Sequence, residues 1–425
     1  MIQHAAWFEE ARLGMFVHWG LYALPARHEW VMNLEELTAE YYSRYFRRFD
    51  PDLYDPREWA RAAKDAGMKY VVLTTKHHDG FCLWDSSLTE YKSTNTPAGR
   101  DLVRPYVDAL RAEGLKVGFY HSLIDWHHPD FTIDGAHPQR NSPDVEALNA
   151  GRDMARYRDY LHGQVRELLT DYGQIDYLFF DFSYSEHGPE EFWGGKGRKE
   201  WDSEALLAMV RELQPGIVVN DRLEIPGDFV TPEQYQPAGP MLVDNQQVAW
   251  EACQTLNGSW GYDRDNLNFK SVDLLIRMLV DGVSKGGNLL LNVGPTGRGN
   301  FDPRATEALQ GIGAWMRLHG RSVYGAGPST FTPPADARYT QSGNRLYVHL
   351  FAWPFQFVHL PGLEGKVEYA QLLNDASEVF LQENDPQAQA HNMQPGAQPA
   401  GTLTIKLPVQ RPDVDLPVLE LFLAG

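Results

Sequence analysis

Cysteine is nearly absent. Of 425 residues only Cys82 and Cys253 carry thiols, 171 positions apart and without a C-x-x-C pair, so neither a disulfide framework nor a thiolate zinc site is expected. No run of 18 apolar residues occurs, and the opening MIQHAAWFEEARLG lacks a basic patch followed by an apolar stretch, so neither a membrane helix nor an export signal is expected. Positive charge is also short: 38 Lys and Arg against 57 Asp and Glu leave −19, which repels phosphate backbones and anionic lipid surfaces. These absences argue against nucleic-acid and membrane partners and lead to the expectation of a soluble, cytoplasmic protein. What the chain does have is 43% hydrophobic and 12% aromatic residues, enough to build a large core.

From residue 14 to about 320, short β-branched and aromatic runs alternate with stretches of helical spacing, the pattern of a parallel sheet. Strands are expected at Met15 to His18, Tyr70 to Thr75, Val117 to His121, Tyr177 to Asp181, Ile217 to Asn220 and Leu289 to Val293. Polar residues gather just past their ends, as at the rim of a (β/α)8-like barrel. A doubly wound sheet is the rival, but no Gly-rich phosphate turn follows the first strand. Beyond Gly327 eleven of the 27 prolines appear and helical spacing gives way to alternation, which predicts an antiparallel β-sandwich. The expected division is therefore a catalytic α/β barrel over 1–327 and a sandwich over 328–425, with 382–400 as a surface loop.

The densest polar cluster is LTTKHHDGFCLWDS, residues 73 to 86. His77, His78 and Asp79 could ligate a metal, hydrogen-bond a polyol, or serve only structure. Adjacent histidines on an extended segment point opposite ways, which favours hydroxyl recognition over a shared ion. Trp19, Trp30, Trp84, Trp126, Trp250 and Trp260 each lie close to a polar group, and a flat ring beside hydrogen-bonding groups suits a sugar. Asp181 ends an apolar run; it is a cap, a salt-bridge partner or a nucleophile. A nucleophile needs a protonated partner, and spacing leaves Glu224, Glu233 and Glu251 equal. The glycines around 284–301 lack a G-x-x-x-x-G-K-[ST] pattern and read as close approaches of a strand, not a phosphate loop.

Nine segments in order, GMFVHWGLYALP (14–25), EW (29–30), AGMKYVVLTTKHHDGFCLWDS (66–86), GFYHSLIDW (118–126), YLFFD (177–181), VNDR (219–222), GDFVTPEQ (227–234), WEACQTLNGSWGY (250–262) and SKGGNLLLNVGP (284–295), resemble the α-L-fucosidases of glycoside hydrolase family 29. The resemblance implies a (β/α)8-like barrel with a sandwich, and retaining hydrolysis of terminal α-L-fucosides without metal or cofactor. It also implies Asp181 as nucleophile and Glu233 as acid/base, with Glu251 in reserve. Fucose contacts would fall on His18, Glu29, Trp30, His77, His78, His121, Phe179, Arg222 and Trp260. The partner implied is a fucosylated oligosaccharide or glycoconjugate; transfer to acceptors and a homo-oligomer stay open. Phe182 departs from the glycine that often follows the family's nucleophile, and 183–201 is the stretch expected on the leaving-group side. The rival classes are a silent fucose-binding protein and a metal-dependent hydrolase built on His77, His78 and Asp79.

Overall fold

The computed structural model describes residues 6–185 and 193–424; of the expected leaving-group stretch, 186–192 lie outside the described residues. In chain order the strands of the first region are β1 (Leu13–Val17), β2 (Tyr70–Lys76), β3 (Lys116–Ser122), β4 (Tyr177–Asp181), β5 (Val218–Val219), β6 (Leu242–Val243), β7 (Gln246–Gln247), β8 (Glu251–Thr255) and β9 (Asn288–Val293). β6 and β7 form a short exposed hairpin; the other seven make one curled parallel sheet in the order β5-β4-β3-β2-β1-β9-β8. β8 was not expected from sequence. Its residues, Glu-Ala-Cys-Gln-Thr, are polar enough to read as loop, yet all five are buried.

Parallel neighbours need crossovers, and helices Pro56–Asp65, Val103–Ala112, Met154–Asp171, Ser203–Leu213 and Val272–Ser284 supply them. Several begin on side-chain caps: Asp55 on Arg57 N, Asp153 on Ala155 N and Ser271 on Leu274 N. Alternation along the strands splits the core in two. Leu13, Met15, Val17, Val71, Leu73 and Phe119 face the helices, while Phe16, Val72, Tyr120, Phe179, Cys253 and Leu290 fill the concave side. Phe8, on the helix Ala6–Ala11, packs beneath them, 4.8 Å from Phe229.

No helix crosses between β5 and β8. Instead residues 228–234 run between these edge strands: Asp228 N donates to Val219 O, Val230 N to Ala249 O, Glu251 N to Val230 O and Cys253 N to Pro232 O. Glycines bracket β9 because neighbours press on it. A Cβ on Gly287 would lie 2.3 Å from the Trp250 ring, and one on Gly294 would lie 2.6 Å from Tyr262 N.

After helix Pro303–His319 come β10 (Ala337–Ser342), β11 (Arg345–Leu350), β12 (Phe357–Pro361), β13 (Val367–Leu372), β14 (Phe380–Gln382), β15 (Thr402–Lys406) and β16 (Val418–Leu423). They form antiparallel sheets β10-β11-β16-β13 and β12-β15-β14 around a core of Val348, Leu360, Ile405, Leu419 and Leu421. This region docks through Trp315, whose Nε1 donates to Leu416 O at 2.9 Å, and through Arg338, 2.8 Å from Asp281.

Candidate active site

The carboxyl-terminal strand ends surround a cavity of about 530 Å³ including its open mouth. Of the residues singled out by the resemblance, His18, Trp30, His77, His78, Phe179, Asp181, Arg222, Glu233 and Trp260 line it; Glu29 and His121 do not. Phe16, Tyr120, Phe182 and Cys253 complete the wall.

Arg222 links the two acids. Its Nη1 lies 3.3 Å from Asp181 Oδ1 and its Nη2 donates to Glu233 Oε2 at 2.7 Å. The other Asp181 oxygen accepts from the Tyr120 hydroxyl at 2.8 Å. Burial pushes the Asp181 carboxyl up to about 6; Arg222 opposes that rise and the neighbouring charge of Glu233 adds to it. Glu233 is 40% exposed and stands on the 228–234 segment, anchored where Thr231 Oγ1 donates to Asp221 at 2.9 Å.

The histidines are held neutral by burial, which brings His18 down to about 4 and His77 and His78 well below their usual value. Partners fix the tautomers of His18 and His78. Asn292 Nδ2 donates to Trp260 O, so its Oδ1 accepts from His18 Nδ1 at 2.7 Å. Ser122 Oγ donates to Ile124 O and accepts from His78 Nδ1 at 2.7 Å. The His18 and His78 rings are each left with a bare Nε2 that can accept a hydroxyl proton, and that of His78 lies 3.8 Å from Asp181.

The expectation that His77 and His78 point apart is corrected: their rings lie 4.0 Å apart, on one wall. The strict alternation of a strand does not reach them, because β2 ends at Lys76 with a register shift against β3 and a turn begins at His78. Asp79 turns elsewhere, its carboxylate accepting from Tyr42 OH and Phe81 N. Among the described residues no three His, Cys, Asp or Glu side chains are grouped as ion ligands.

Alternation does govern β3. Tyr120 pairs in register with Phe179, and Ser122 with Asp181, so these four share the concave face. His121 pairs with Phe180 on the outer face, 5.9 Å from the Trp84 ring. His121, expected from the resemblance as a fucose contact, therefore stands off the cavity wall, and its neighbour Tyr120 stands on it. The signal that could have found Tyr120 was the in-register pairing of parallel strands, once Asp181 was placed inward. Glu29 is buried with its carboxylate taken up by Trp260 N at 3.1 Å and Gly261 N at 2.8 Å; burial works against its charge, but His28 and the Gly261 N–H hold it below the usual carboxylate value. Of the six tryptophans, only Trp30 and Trp260 reach the cavity. Trp19 and Trp84 spend their N–H groups on Thr296 O and Glu167, and Trp250 packs under Gly287.

The two alternative acids separate by location. Glu224 is exposed and accepts from Ser185 N and Arg198 N. Glu251 begins β8 at the opposite end of the sheet interior, fully buried, with the hydroxyls of Tyr70 and Tyr177 on its two oxygens.

A family model described as alpha-L-fucosidase matches residues 2–321. The chain is similar to alpha-L-fucosidase isoenzyme 1 from Paenibacillus thiaminolyticus, with 46% identity and a TM-score of 0.90 over 100% of this chain and 99% of that one. Tissue alpha-L-fucosidase of Homo sapiens is 29% identical over 378 residues, 82% of this chain and 76% of the human protein. A GH29 alpha-L-fucosidase from Bacteroides thetaiotaomicron, solved as a trapped covalent intermediate with 2-fluoro-fucosyl fluoride, is 27% identical with a TM-score of 0.84, over 100% of this chain and 97% of that one.

Proposed function

The chain belongs to the α-L-fucosidase family of glycoside hydrolases, and from that membership we propose that it is a retaining exo-α-L-fucosidase with Asp181 as nucleophile and Glu233 as general acid and base. The observation that carries this reading is the single guanidinium of Arg222 bonded to both acids on one cavity wall. Two carboxyls on one wall, one on each side of a scissile bond, are the requirement of double displacement, which sets them about 5–5.5 Å apart. The trapped covalent intermediate of the Bacteroides relative supports the same course. We read the curled sheet as a (β/α)8-like barrel in which 228–234 acts as the eighth stave, and the antiparallel region as a β-sandwich.

The cavity has two characters. His18, His77 and His78 form a hydrogen-bonding side for ring hydroxyls, while Phe16, Phe179 and Trp260 form an apolar side. A 6-deoxy sugar offers this combination, since a methyl group replaces one hydroxymethyl. In the first step an Asp181 oxygen bonds to the anomeric carbon as the glycosidic C–O bond breaks, and Glu233 gives its proton to the departing oxygen. In the second, Glu233 takes a proton from water, the water oxygen bonds to the same carbon, and Asp181 leaves as carboxylate. An acceptor hydroxyl in place of water gives transfer.

The test is to follow hydrolysis of an aryl α-L-fucoside by NMR. The first-formed product should be α-L-fucose. Release of the β-anomer first, or binding without turnover, would overturn the reading.

A further inference from the structure

Phe182 is the sole non-glycine with positive φ among the described residues of the cavity wall, at 77°. A side chain with a Cβ is disfavoured there, so such a conformation persists only where the surroundings hold it. Among what holds it, the ring packs 5.1 Å from Trp30, 5.0 Å from His78 and 5.0 Å from Tyr184. Trp30 in turn stands edge-on to Trp126 at 5.3 Å. Phe182 and Trp30 are half-buried, whereas Trp126 behind them is buried.

The cavity thus carries two separate aromatic surfaces. The inner one joins Phe16, Tyr120 and Phe179, with Trp260 reached through Phe16 and His18. The outer one is formed by Trp30 and Phe182, with Trp126 buried behind them. They meet at the His77–His78 pair, with Asp181 beside it. If the inner surface takes the apolar side of a fucosyl ring, as proposed above, and Trp30 also serves that ring as the resemblance implies, Phe182 is left for whatever is attached across the scissile bond.

We propose that Phe182, backed by Trp30 and Trp126, is the platform for the leaving group, and for the acceptor in transfer, selecting partners that present a flat apolar face such as a pyranose ring or an arene. The proposal rests on the fucosidase reading. It is tested by comparing the wild type with Phe182→Gly, which removes the ring and suits the backbone, and with Phe182→Leu, which keeps apolar bulk without a flat face. The substrates are α-L-fucosyl fluoride, whose leaving group has no ring, a nitrophenyl fucoside and a fucosyl-galactose disaccharide.

Relative to the fluoride, kcat/KM for the two ringed substrates should fall about tenfold in Phe182→Gly, mainly through KM, and less in Phe182→Leu. Equal losses on all three substrates would assign Phe182 to the fucosyl ring or to the alignment of Asp181, and would overturn the proposal. Undiminished relative activity on the ringed substrates would overturn it as well. A wild type inert toward fucosyl fluoride would instead remove the fucosidase reading, and the proposal with it.

Discussion

Two carboxyls, one half-buried and one buried, occupy opposite ends of the same sheet interior, and only the first opens onto the cavity. Asp181 ends β4 at the rim; Glu251 begins β8 at the floor. Each is met by tyrosine, Tyr120 in one case and the Tyr70–Tyr177 pair in the other. Burial raises both, to about 6 and about 7. The difference is company and access. Asp181 is 16% exposed and faces Arg222, whereas Glu251 is 0% exposed and meets phenols. A raised carboxyl alone therefore does not mark a reactive group; a raised carboxyl with a cation, a second acid and an opening does.

The comparison can be broken most directly at the rim. Asp181→Gly should lower kcat on an aryl fucoside by on the order of 10⁴-fold or more, with partial recovery in azide acting as external nucleophile. In the unmodified protein, kcat/KM should decline as pH falls through about 6, because protonation removes the attacking carboxylate. Retained turnover in the glycine variant would sink the assignment. Glu233→Ala should cost about 10²–10³-fold on a disaccharide and far less on substrates with good leaving groups, which need little protonation. Equal losses would move the proton donor elsewhere.

Smaller effects sharpen the contrast. Tyr120→Phe removes a hydrogen bond to ionised Asp181; kcat/KM should drop roughly tenfold and the acid limb should move to higher pH. At the floor, Glu251→Gln should alter kcat by less than about twofold. Its signature is stability. Because the folded carboxyl is raised from 4.5 to about 7, the native state binds the extra proton and loses stability as pH rises through that window. The amide escapes this, so the variant should be more stable than the parent at pH 8 by on the order of 1–3 kcal/mol and gain nothing at pH 4. Denaturant melts at both pH values check it.

Much of this was legible from residues alone. The continuous apolar runs ending in Asp181 and Val293 betrayed buried parallel strands, and the polar residues just beyond them marked the rim. Three things were hidden. β8 is not legible because Glu251, Gln254 and Thr255 are polar yet buried, met by the Tyr177 hydroxyl, the Tyr235 carbonyl and the Gln234 side-chain amide. His121, which the resemblance offers as a fucose contact, lies on the outer face because side chains alternate along β3, and the same alternation brings Tyr120 inward. The six tryptophans looked like one sugar-stacking set because adjacency in sequence cannot distinguish a ring at the mouth from one locked beneath a glycine. Glu224, Glu233 and Glu251 were equal in spacing; backbone pairing across the gap between β5 and β8 is a tertiary fact no local pattern encodes.

That gap has a consequence for anyone who edits this chain. Asp181 belongs to a regular strand gripped on both sides, but Glu233 belongs to a seam, stitched to β8 by alternate amides and to β5 through Asp228. One residue added between Phe229 and Glu233 would turn the second acid outward, since sidedness reverses at every position. Two added residues would restore its facing while advancing it along the thread, so insertional scanning of this seam should switch turnover off and on with parity.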